Sequence, residues 1–415
     1  MVTQQVKNIK LDRLMETIRQ SAEIGRLPNG GICRLSLTDE DKRMRDLFLQ
    51  WMKDCGLETR IDDFGNMYGR RKGKNDELAP VLAGSHLDTQ PKGGKYDGVL
   101  GVLGALEVIR TLNDLGIETE RPIEIVNFTN EEGARFQPAM LGSGAMAEVF
   151  NKHTILNAKD QKGVIFGEEL ERIGYKGLKQ NRQQAPFCFL ELHIEQGPVL
   201  EDKGKSIGVV TGIQGMTWLE ASITGRTSHT GTTPMNRRKD AVLLASKLIA
   251  EIYALAEEIP DLLVAVGRIQ VSPNVINTVA DQAVFSIDIR HPEDHVRERF
   301  EKLLKESLST MTLVDEMELQ IKDLDKIDTD FFSKEIIEAM EGAAEKHGFS
   351  YMRMLSGAGH DAKYLNWITP AAMLFIPSIS GLSHCEEEFS KASDIEKGVQ
   401  VLFETVLALA NKETL

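Results

Sequence analysis

The sequence has few cysteines, no long apolar run and no excess of positive charge. Its four cysteines, Cys33, Cys55, Cys188 and Cys385, form no CxxC pair, which argues against a disulfide framework or a thiolate zinc site and suits a reducing cytosol. No segment approaches the roughly 20 apolar residues that a membrane span requires. The net charge is −14, from 49 basic and 63 acidic residues, which argues against a non-specific nucleic-acid binder. These absences predict a cytoplasmic protein without membrane or nucleic-acid partners.

The bulk composition is that of a globular protein. With 415 residues the chain is long enough for two domains and a sizeable core. Hydrophobic residues make up 41% and charged residues 27%, which argues against disorder. The polar N-terminal segment "MVTQQVKNIKLDRLMETIRQ" predicts an amphipathic helix rather than a signal peptide.

Helix-like and strand-like segments alternate over residues 1–211. "VLAGSHLDT" begins as a short buried strand, and "GVLGVLGALEVIRTLNDLG" follows as a helix. "RPIEIVNFTN" and "FCFLELHIEQG" predict further strands. This alternation predicts an α/β domain with a mixed sheet and helices on both faces.

A different order of elements occupies residues 212–327. The strand "TWLEASITG", a long amphipathic helix, the strands "LLVAVGRIQV" and "AVFSIDIR", a second helix and the strand "MELQIKDL" follow one another. The order β-α-β-β-α-β is that of a ferredoxin-like unit. Because residues 328–415 return to helix and buried strand, this unit is predicted to be an insertion in the first domain.

Polar side chains follow several of the apolar strands. A single histidine in such a position is usually a structural residue, and an isolated Glu-Glu pair usually lies in a solvated loop. Several such residues together predict a metal site at the strand ends. Imidazole and carboxylate donors suit zinc, manganese, cobalt or nickel. A two-metal site needs a bridging carboxylate, and a second carboxylate can then act as the base. The candidates are His86, Asp97, Glu131, Glu132, His193 and His384.

Five segments of the sequence resemble a known family. They are "GSHLDTQPKGGKYDG", "NEEGARF", "LHIEQGPVLE", "TSHTGTTPM" and "SGAGHDA". They are similar to segments of the dinuclear metallo-amidohydrolases that act on N-carbamoyl groups, which include N-carbamoyl-L-amino-acid hydrolase, β-ureidopropionase and allantoate amidohydrolase. This group is related to the aminoacylase-like exopeptidases. The resemblance covers nearly the whole chain.

The resemblance implies a ligand set for two divalent ions. His86, Asp97 and His193 would hold one ion, and Asp97, Glu132 and His384 would hold the other. Asp97 would bridge the two ions, which would lower the pKa of a water that they share. All of the family's ligand positions are matched in this sequence.

The resemblance also implies the remaining roles in the site. Glu131 would be the general base, Asp88 would orient His86, His229 would stabilise the oxyanion, from its own or the partner subunit, and Arg290 would bind the substrate carboxylate. A loop histidine and a solvated strand arginine are the plain structural interpretations of His229 and Arg290. The implied substrate contacts are Gln196, His229, Asn277, Arg290 and Gly359.

Two other polar groups are interpreted from the sequence without a catalytic assignment. His360 and Asp361 are left open between a role in the site and a structural hydrogen-bonded pair. Glu386, Glu387 and Glu388 are predicted to form a solvated surface turn.

The sequence therefore predicts a metal-dependent amidohydrolase. It would cleave the carbamoyl C–N bond of N-carbamoyl-L-amino acids to give amino acid, carbon dioxide and ammonia. The inserted domain would act as a lid and would join two chains in a homodimer. The alternatives are allantoate amidohydrolase, β-ureidopropionase, a dipeptidase, or a non-catalytic metal-bound binding protein.

Overall fold

The computed structural model describes residues 8–314 and 317–415. The first seven residues of the predicted N-terminal helix lie outside this range, and the described part of that segment forms a helix over Leu11–Ala22. The chain divides into two compact units. The first ends at Gly212 and includes Phe331–Leu415, and the second is Ile213–Asp330.

The helices and strands are as follows. The helices are α1 (Leu11–Ala22), α2 (Asp39–Asp54), α3 (Val99–Asp114), α4 (Leu141–Met146), α5 (Lys152–Leu156), α6 (Phe166–Arg172), α7 (Val199–Asp202), α8 (Ala241–Glu257), α9 (Asp294–Val314), α10 (Lys334–Lys346), α11 (Ala362–Leu365) and α12 (Ala392–Leu409). The strands are β1 (Glu58–Ile61), β2 (Met67–Arg71), β3 (Val81–His86), β4 (Ile123–Phe128), β5 (Cys188–Ile194), β6 (Ile207–Ile213), β7 (Gly215–Thr224), β8 (Ser228–His229), β9 (Leu263–Ala265), β10 (Ile269–Ser272), β11 (Thr278–Val279), β12 (Gln282–His291), β13 (Glu318–Ile327), β14 (Asp330–Phe331), β15 (Tyr351–Ser356) and β16 (Ala371–Ile376).

A mixed sheet forms the centre of the first unit. Its order is β1-β2-β4-β3-β5-β16-β6-β14, and β15 pairs with β6. The central strands β4, β3, β5 and β16 run parallel, whereas β2 and β6 pair with them in the antiparallel direction. Every residue of these four strands is buried, as expected for parallel strands that carry near-continuous apolar runs. The prediction of a mixed α/β fold is confirmed.

The carboxyl ends of the central strands lie side by side. His86 ends β3 and is in register with Phe128, the last residue of β4. On the other side of β3, His193 of β5 is in register with Phe375 of β16. Loops that follow these strands therefore begin at one edge of the sheet, where open α/β sheets bind their ligands.

Helices cover the sheet in two packed groups. In the first group α3, α10 and α12 contact the central strands, and α1 and α10 also pack on α12. Leu14, Ile18 and Ala22 recur every four residues along α1 and are buried, which is why this otherwise polar segment is an amphipathic helix. In the second group α4 and α11 contact each other and the central strands.

The second unit is an antiparallel sheet with two helices. The sheet has the order β10-β12-β7-β13, and β9 also pairs with β12. Buried and less buried residues alternate along β7 and β12 because one face of each strand packs against α8 and α9. Phe285, Ile287 and Ile289 are buried in this core, as the sequence predicts.

One predicted strand of this unit is wrong. "LLVAVGRIQV" forms two strands, β9 and β10, which pair with opposite ends of β12. Between Ala265 and Ile269 the chain advances four residues, while their partners on β12, Asp288 and Phe285, are three apart. The extra residue cannot be paired, so the strand breaks there in the manner of a bulge.

Among residues 8–314 and 317–415, no helix has the length and apolar character needed to span a membrane.

Candidate metal centre

His86, Asp97 and His193 form the first of two clusters of potential metal ligands. The Nε2 atoms of His86 and His193 lie 3.4 Å and 3.2 Å from Asp97 Oδ1. All three side chains are buried. Asp97 is held beside the strand ends by the turn into α3, where Gly98 has a φ of 64°. A Cβ on Gly98 would lie 2.3 Å from the His86 ring, so only glycine permits this approach.

Main-chain carbonyls fix the orientation of both buried imidazoles. His86 Nδ1 lies 2.9 Å from the carbonyl oxygen of Asp88, and His193 Nδ1 lies 2.9 Å from that of Ile194. Because a carbonyl only accepts, each Nδ1 donates and each Nε2 is left as the acceptor. The N–H of Gly98, 3.1 Å from His193 Nε2, supports this tautomer. Both Nε2 lone pairs therefore face the carboxylate of Asp97.

Asp97, Glu132 and His384 form the second cluster. His384 Nε2 lies 3.5 Å from Asp97 Oδ2 and 3.5 Å from Glu132 Oε2. In each cluster the potential ligand atoms lie within 4.8 Å of one another. Amide side chains hold the two carboxylates, because Gln90 donates to Glu132 at 2.7 Å and Gln196 donates to Asp97 at 2.7 Å. The clusters share Asp97, the residue expected to bridge.

The two adjacent glutamates face different neighbours. Glu131 Oε2 lies 3.4 Å from His86 Nε2, and Glu131 belongs to neither cluster. Its main-chain N–H donates to Asp88 Oδ1 at 3.2 Å. Burial raises the pKa of Glu131 well above its usual value, and burial together with Asp97 raises the pKa of Glu132 to about 7. The structure thus separates the two carboxylates as a split between base and ligand requires.

The charges in these clusters call for a cation. Burial alone would lower the pKa of His86, but the carboxylates of Glu131, Asp97 and Asp88 raise it well above its usual value. Burial would raise the pKa of Asp97, and the surrounding imidazoles hold it well below its usual value instead. Imidazole lone pairs aimed at a carboxylate repel it unless a proton or a metal ion lies between them. The residues present therefore fit divalent metal ions bound by nitrogen and oxygen.

The structure places the predicted substrate contacts in both units. In the first unit Gln196 contacts Asp97, as described above, and Gly359 is exposed. In the second unit Thr278 pairs with His229, and the N–H of Thr230 donates to the carbonyl of Asn277 at 3.3 Å. His229 lies on the short ladder of β8 and β11, Asn277 immediately precedes β11, and both residues are exposed.

Arg290 lies on the face of β12 that points away from the core of its unit. It is half-buried and forms an ion pair with Asp288, two residues earlier on the same face, with Nη2 at 2.9 Å from Oδ2. The guanidinium Nε also donates to this carboxylate at 3.1 Å. A substrate carboxylate would have to compete with Asp288 for this arginine.

Two residues that the sequence left open lie beneath the first cluster. His360 and Asp361 are buried, and the ring of His360 packs against that of His193 with centroids 4.5 Å apart. The hydrogen bonds of the two side chains go to different partners: His360 Nε2 contacts Ser356 Oγ, and Ser143 Oγ donates to Asp361. The interpretation as a mutually bonded pair is therefore wrong.

The prediction of a solvated turn at Glu386–Glu388 is wrong for its last residue. Glu388 is only 4% exposed, and its carboxylate accepts hydrogen bonds from Tyr96, Asp97 and Ser383. No periodicity or local motif marks this position, because the partners at Tyr96 and Asp97 are 292 and 291 residues away in sequence. Glu388 was thus missed as part of the surroundings of the clusters.

Comparisons with known proteins place the chain in a family. A model of the family described as Peptidase family M20/M25/M40 matches residues 82–408. The N-carbamoyl-L-amino-acid amidohydrolase of Rhizobium meliloti is 42% identical over 409 residues, which are 97% of this chain and 97% of that protein. The allantoate amidohydrolase of Bacillus subtilis is 35% identical, over 96% of this chain and 97% of that protein.

A solved structure also aligns with the whole chain. The amidase of the hydantoinase/carbamoylase family from Burkholderia multivorans superposes with a TM-score of 0.91 at 42% identity, covering 98% of this chain and 100% of that one. The resemblance predicted from the sequence motifs is confirmed. Because the family model spans most of the chain and these relatives align with it almost from end to end, the chain belongs to peptidase family M20/M25/M40.

Proposed function

We propose that this chain is a metal-dependent amidohydrolase that cleaves the carbamoyl C–N bond of N-carbamoyl-L-amino acids. The observation that carries the proposal is the pair of ligand clusters that share Asp97. The carboxylate of Glu131 lies beside these clusters but belongs to neither of them. The names of the relatives support the reaction class, which is hydrolysis of a C–N bond other than a peptide bond. The products are amino acid, carbon dioxide and ammonia.

The two clusters would hold the metal ions. His86, Asp97 and His193 would bind one ion, and Asp97, Glu132 and His384 the other. When bound, such ions polarise the scissile carbonyl and make a water acidic enough to attack at neutral pH. Donor sets of nitrogen and oxygen support zinc, manganese, cobalt or nickel.

Glu131 acts as the general base. It takes a proton from the attacking water and returns that proton to the nitrogen that leaves the carbamoyl carbon. Asp88 assists from two sides, because its carbonyl fixes His86 and its carboxylate accepts from the N–H of Glu131. Burial raises the pKa of Glu131, which is the direction that strengthens a carboxylate as a base.

Both units supply substrate contacts. Its insertion in the first domain, which we assign to 1–211 and 328–415, gives a lid of residues 212–327. His229 stabilises the oxyanion, Asn277 and the first-domain residues Gln196 and Gly359 contact substrate, and Arg290 binds its carboxylate. Exposure of His229 and Asn277 supports this assignment, since a ligand can reach both.

The lid also joins two chains in a homodimer. Strands β10 and β13 are the edges of its sheet, and free edges invite pairing with another chain. Ile269 on β10 is 56% exposed, which supports burial in an interface. A sedimentation mass of 46.2 kDa, that of one chain, at every concentration would contradict the dimer. The four free thiols support location in the reducing cytoplasm.

Allantoate amidohydrolase is the second candidate function. Relatives with that name are 35% identical to this chain. Sequence identity alone therefore distinguishes poorly between allantoate amidohydrolase and N-carbamoyl-L-amino-acid amidohydrolase. β-Ureidopropionase uses the same chemistry, and a dipeptidase would be the more distant alternative. Glu131 argues against a non-catalytic binding protein, because a pure binder has no use for a base beside its metal ligands.

A parallel assay of ammonia release tests the proposal. The metal-loaded protein is given N-carbamoyl-L-amino acids, N-carbamoyl-β-alanine and allantoate at matched concentrations. We expect the highest kcat/KM for the N-carbamoyl-L-amino acids, and release about 10²- to 10⁴-fold slower with the variant Glu131→Gln. Faster turnover of allantoate would favour the second candidate, and the absence of release from all three substrates would contradict the reaction class.

A further inference from the structure

Glu388 is a buried carboxylate that forms no close ion pair with the described residues. It lies in the loop after β16, four residues beyond His384, and is 4% exposed. Within the described residues no lysine, arginine or histidine lies at ion-pair distance from it, and its partners are two main-chain N–H groups and one hydroxyl. Burying a carboxylate costs free energy unless it is both hydrogen-bonded and paired with a cation, and Glu388 is hydrogen-bonded but forms no close ion pair.

The hydrogen bonds of Glu388 converge on Asp97. Its Oε1 accepts from the N–H groups of Tyr96 and Asp97 at 3.0 Å and 3.1 Å. Its Oε2 lies 3.0 Å from Ser383 Oγ, and the same hydroxyl lies 3.1 Å from Asp97 Oδ2. Glu388 therefore ties the main chain of Asp97 to the residue that precedes His384.

The loop before Asp97 is shaped around this carboxylate. A Cβ on Gly94 would lie 2.0 Å from Glu388 Oε1, so the backbone approaches Glu388 more closely than any side chain at position 94 would allow. Both segments that Glu388 joins carry a proposed metal ligand. One supplies the carboxylate that the clusters share, and the other supplies His384.

We propose that Glu388 is a positioning residue of the metal centre, which fixes the Asp97 main chain and Ser383 so that Asp97 and His384 are held in ligand geometry. Glu388 contacts neither the proposed metal-binding atoms nor the reacting atoms. It acts through the groups to which it is hydrogen-bonded. The inference rests on the metal centre of the proposed function. Partners of this kind orient ligands in metal sites, and their loss typically weakens metal binding about 10- to 100-fold.

Zinc release tests the proposal without reference to activity. The full chain and the variants Glu388→Gln and Glu388→Ala are loaded with zinc, and its transfer to a coloured chelator is followed well below the unfolding temperature. We expect zinc to bind about 10- to 100-fold more weakly in Glu388→Ala. Glu388→Gln should be intermediate, because its single oxygen can still accept from the two N–H groups. Glu387→Gln, a change at the exposed neighbour, should behave as the unmodified chain.

Ser383→Ala separates positioning from general stability. It removes the hydroxyl between Glu388 and Asp97 and leaves the two N–H bonds in place, so we expect weaker zinc binding here as well. It also provides the test if Glu388→Ala fails to fold. A lower unfolding temperature of the metal-free variants with unchanged zinc affinity would overturn the proposal, because Glu388 would then be structural only. An unmodified chain that binds no zinc, manganese, cobalt or nickel would overturn the proposed function as well.

Discussion

The two units hold their functional residues in different ways. In the first unit the proposed metal ligands are mostly buried, and His86, His193, Asp97 and Glu132 each have a hydrogen-bond partner that fixes the side chain. In the second unit the proposed substrate contacts His229 and Asn277 are exposed, and Arg290 is half-buried. A metal centre must be rigid before its ion arrives, whereas residues that grip a substrate must remain accessible to it.

The first prediction concerns the proposed metal centre of the first unit and has the largest expected effect. Glu131→Gln should retain its metal ions and lose about 10²- to 10⁴-fold in kcat, because a general base of this kind contributes that much. Glu132→Gln should instead lose metal, since it replaces a carboxylate in the second cluster. Metal analysis and steady-state kinetics on both variants separate these effects.

Glu131→Gln and Glu132→Gln serve as matched controls for each other. Glu131 and Glu132 are adjacent, carry the same side chain and are both held in the same loop after β4. Equal metal content in the two variants would contradict the division into base and ligand. Metal loss from Glu131→Gln alone would make Glu131 the ligand and Glu132 the base.

The second prediction concerns the proposed substrate contacts of the second unit. Arg290→Lys should lower kcat/KM by roughly 30- to 1,000-fold, or about 2–4 kcal/mol of transition-state binding, because lysine cannot present the planar fork that grips a carboxylate. Metal content should be unchanged. Kinetics with N-carbamoyl amino acids and with their amides measure the effect, and the unmodified enzyme should strongly prefer the acids.

Two controls distinguish substrate binding from the local ion pair of Arg290. Arg268→Lys changes an arginine in the break between β9 and β10, whose partner is Glu220, and should leave kcat/KM nearly unchanged. Asp288→Asn breaks the ion pair but retains the guanidinium. If Asp288→Asn and Arg290→Lys reduce kcat/KM equally, or if the amides are hydrolysed as well as the acids, then Arg290 has a structural role only.

The smallest effect is expected at a helix cap of the second unit. The side chain of Asp240 accepts from the N–H groups of Val242 and Leu243 at the start of α8, at 3.0 Å and 3.1 Å. Asp240→Ala should lower the free energy of unfolding by about 1 kcal/mol. Urea unfolding measures the change, and zinc affinity of the first unit should stay the same.

Substitutions at matched caps control for this result. Asp240→Asn keeps an acceptor oxygen and should lose only a small part of the stability. Thr38→Ala removes the cap of α2 in the first unit, where the hydroxyl accepts from a single N–H at 3.3 Å, and should cost less than Asp240→Ala. A loss of zinc from Asp240→Ala would contradict the independence of the metal centre from this cap.

The sequence predicts the parts of the molecule that local patterns encode. The buried runs of β3, β4, β5 and β16 reveal the central strands, and polar residues that follow such runs reveal the ligand clusters. Strands β1 and β2 were not predicted, because "ETRI" and "MYGRR" are rich in charge and form strands only through pairing with the sheet.

Contacts between distant segments are what the sequence does not encode locally. The role of Glu388 depends on a loop almost 300 residues earlier in the chain, and the break between β9 and β10 depends on pairing with β12. The backbone segments that carry His229 and Asn277 come together because β8 and β11 form a ladder. Their assignment to substrate depended on the resemblance to the family.

Gly98 has a consequence for how this protein tolerates mutation. A single added methyl group at this position would overlap the imidazole of His86, and the positive φ of 64° already disfavours any other residue. Displacing His86 in this way would be equivalent to removing a proposed metal ligand. In a scan of random substitutions, position 98 would therefore be as intolerant as the proposed metal ligands, although it contributes no side chain to the site.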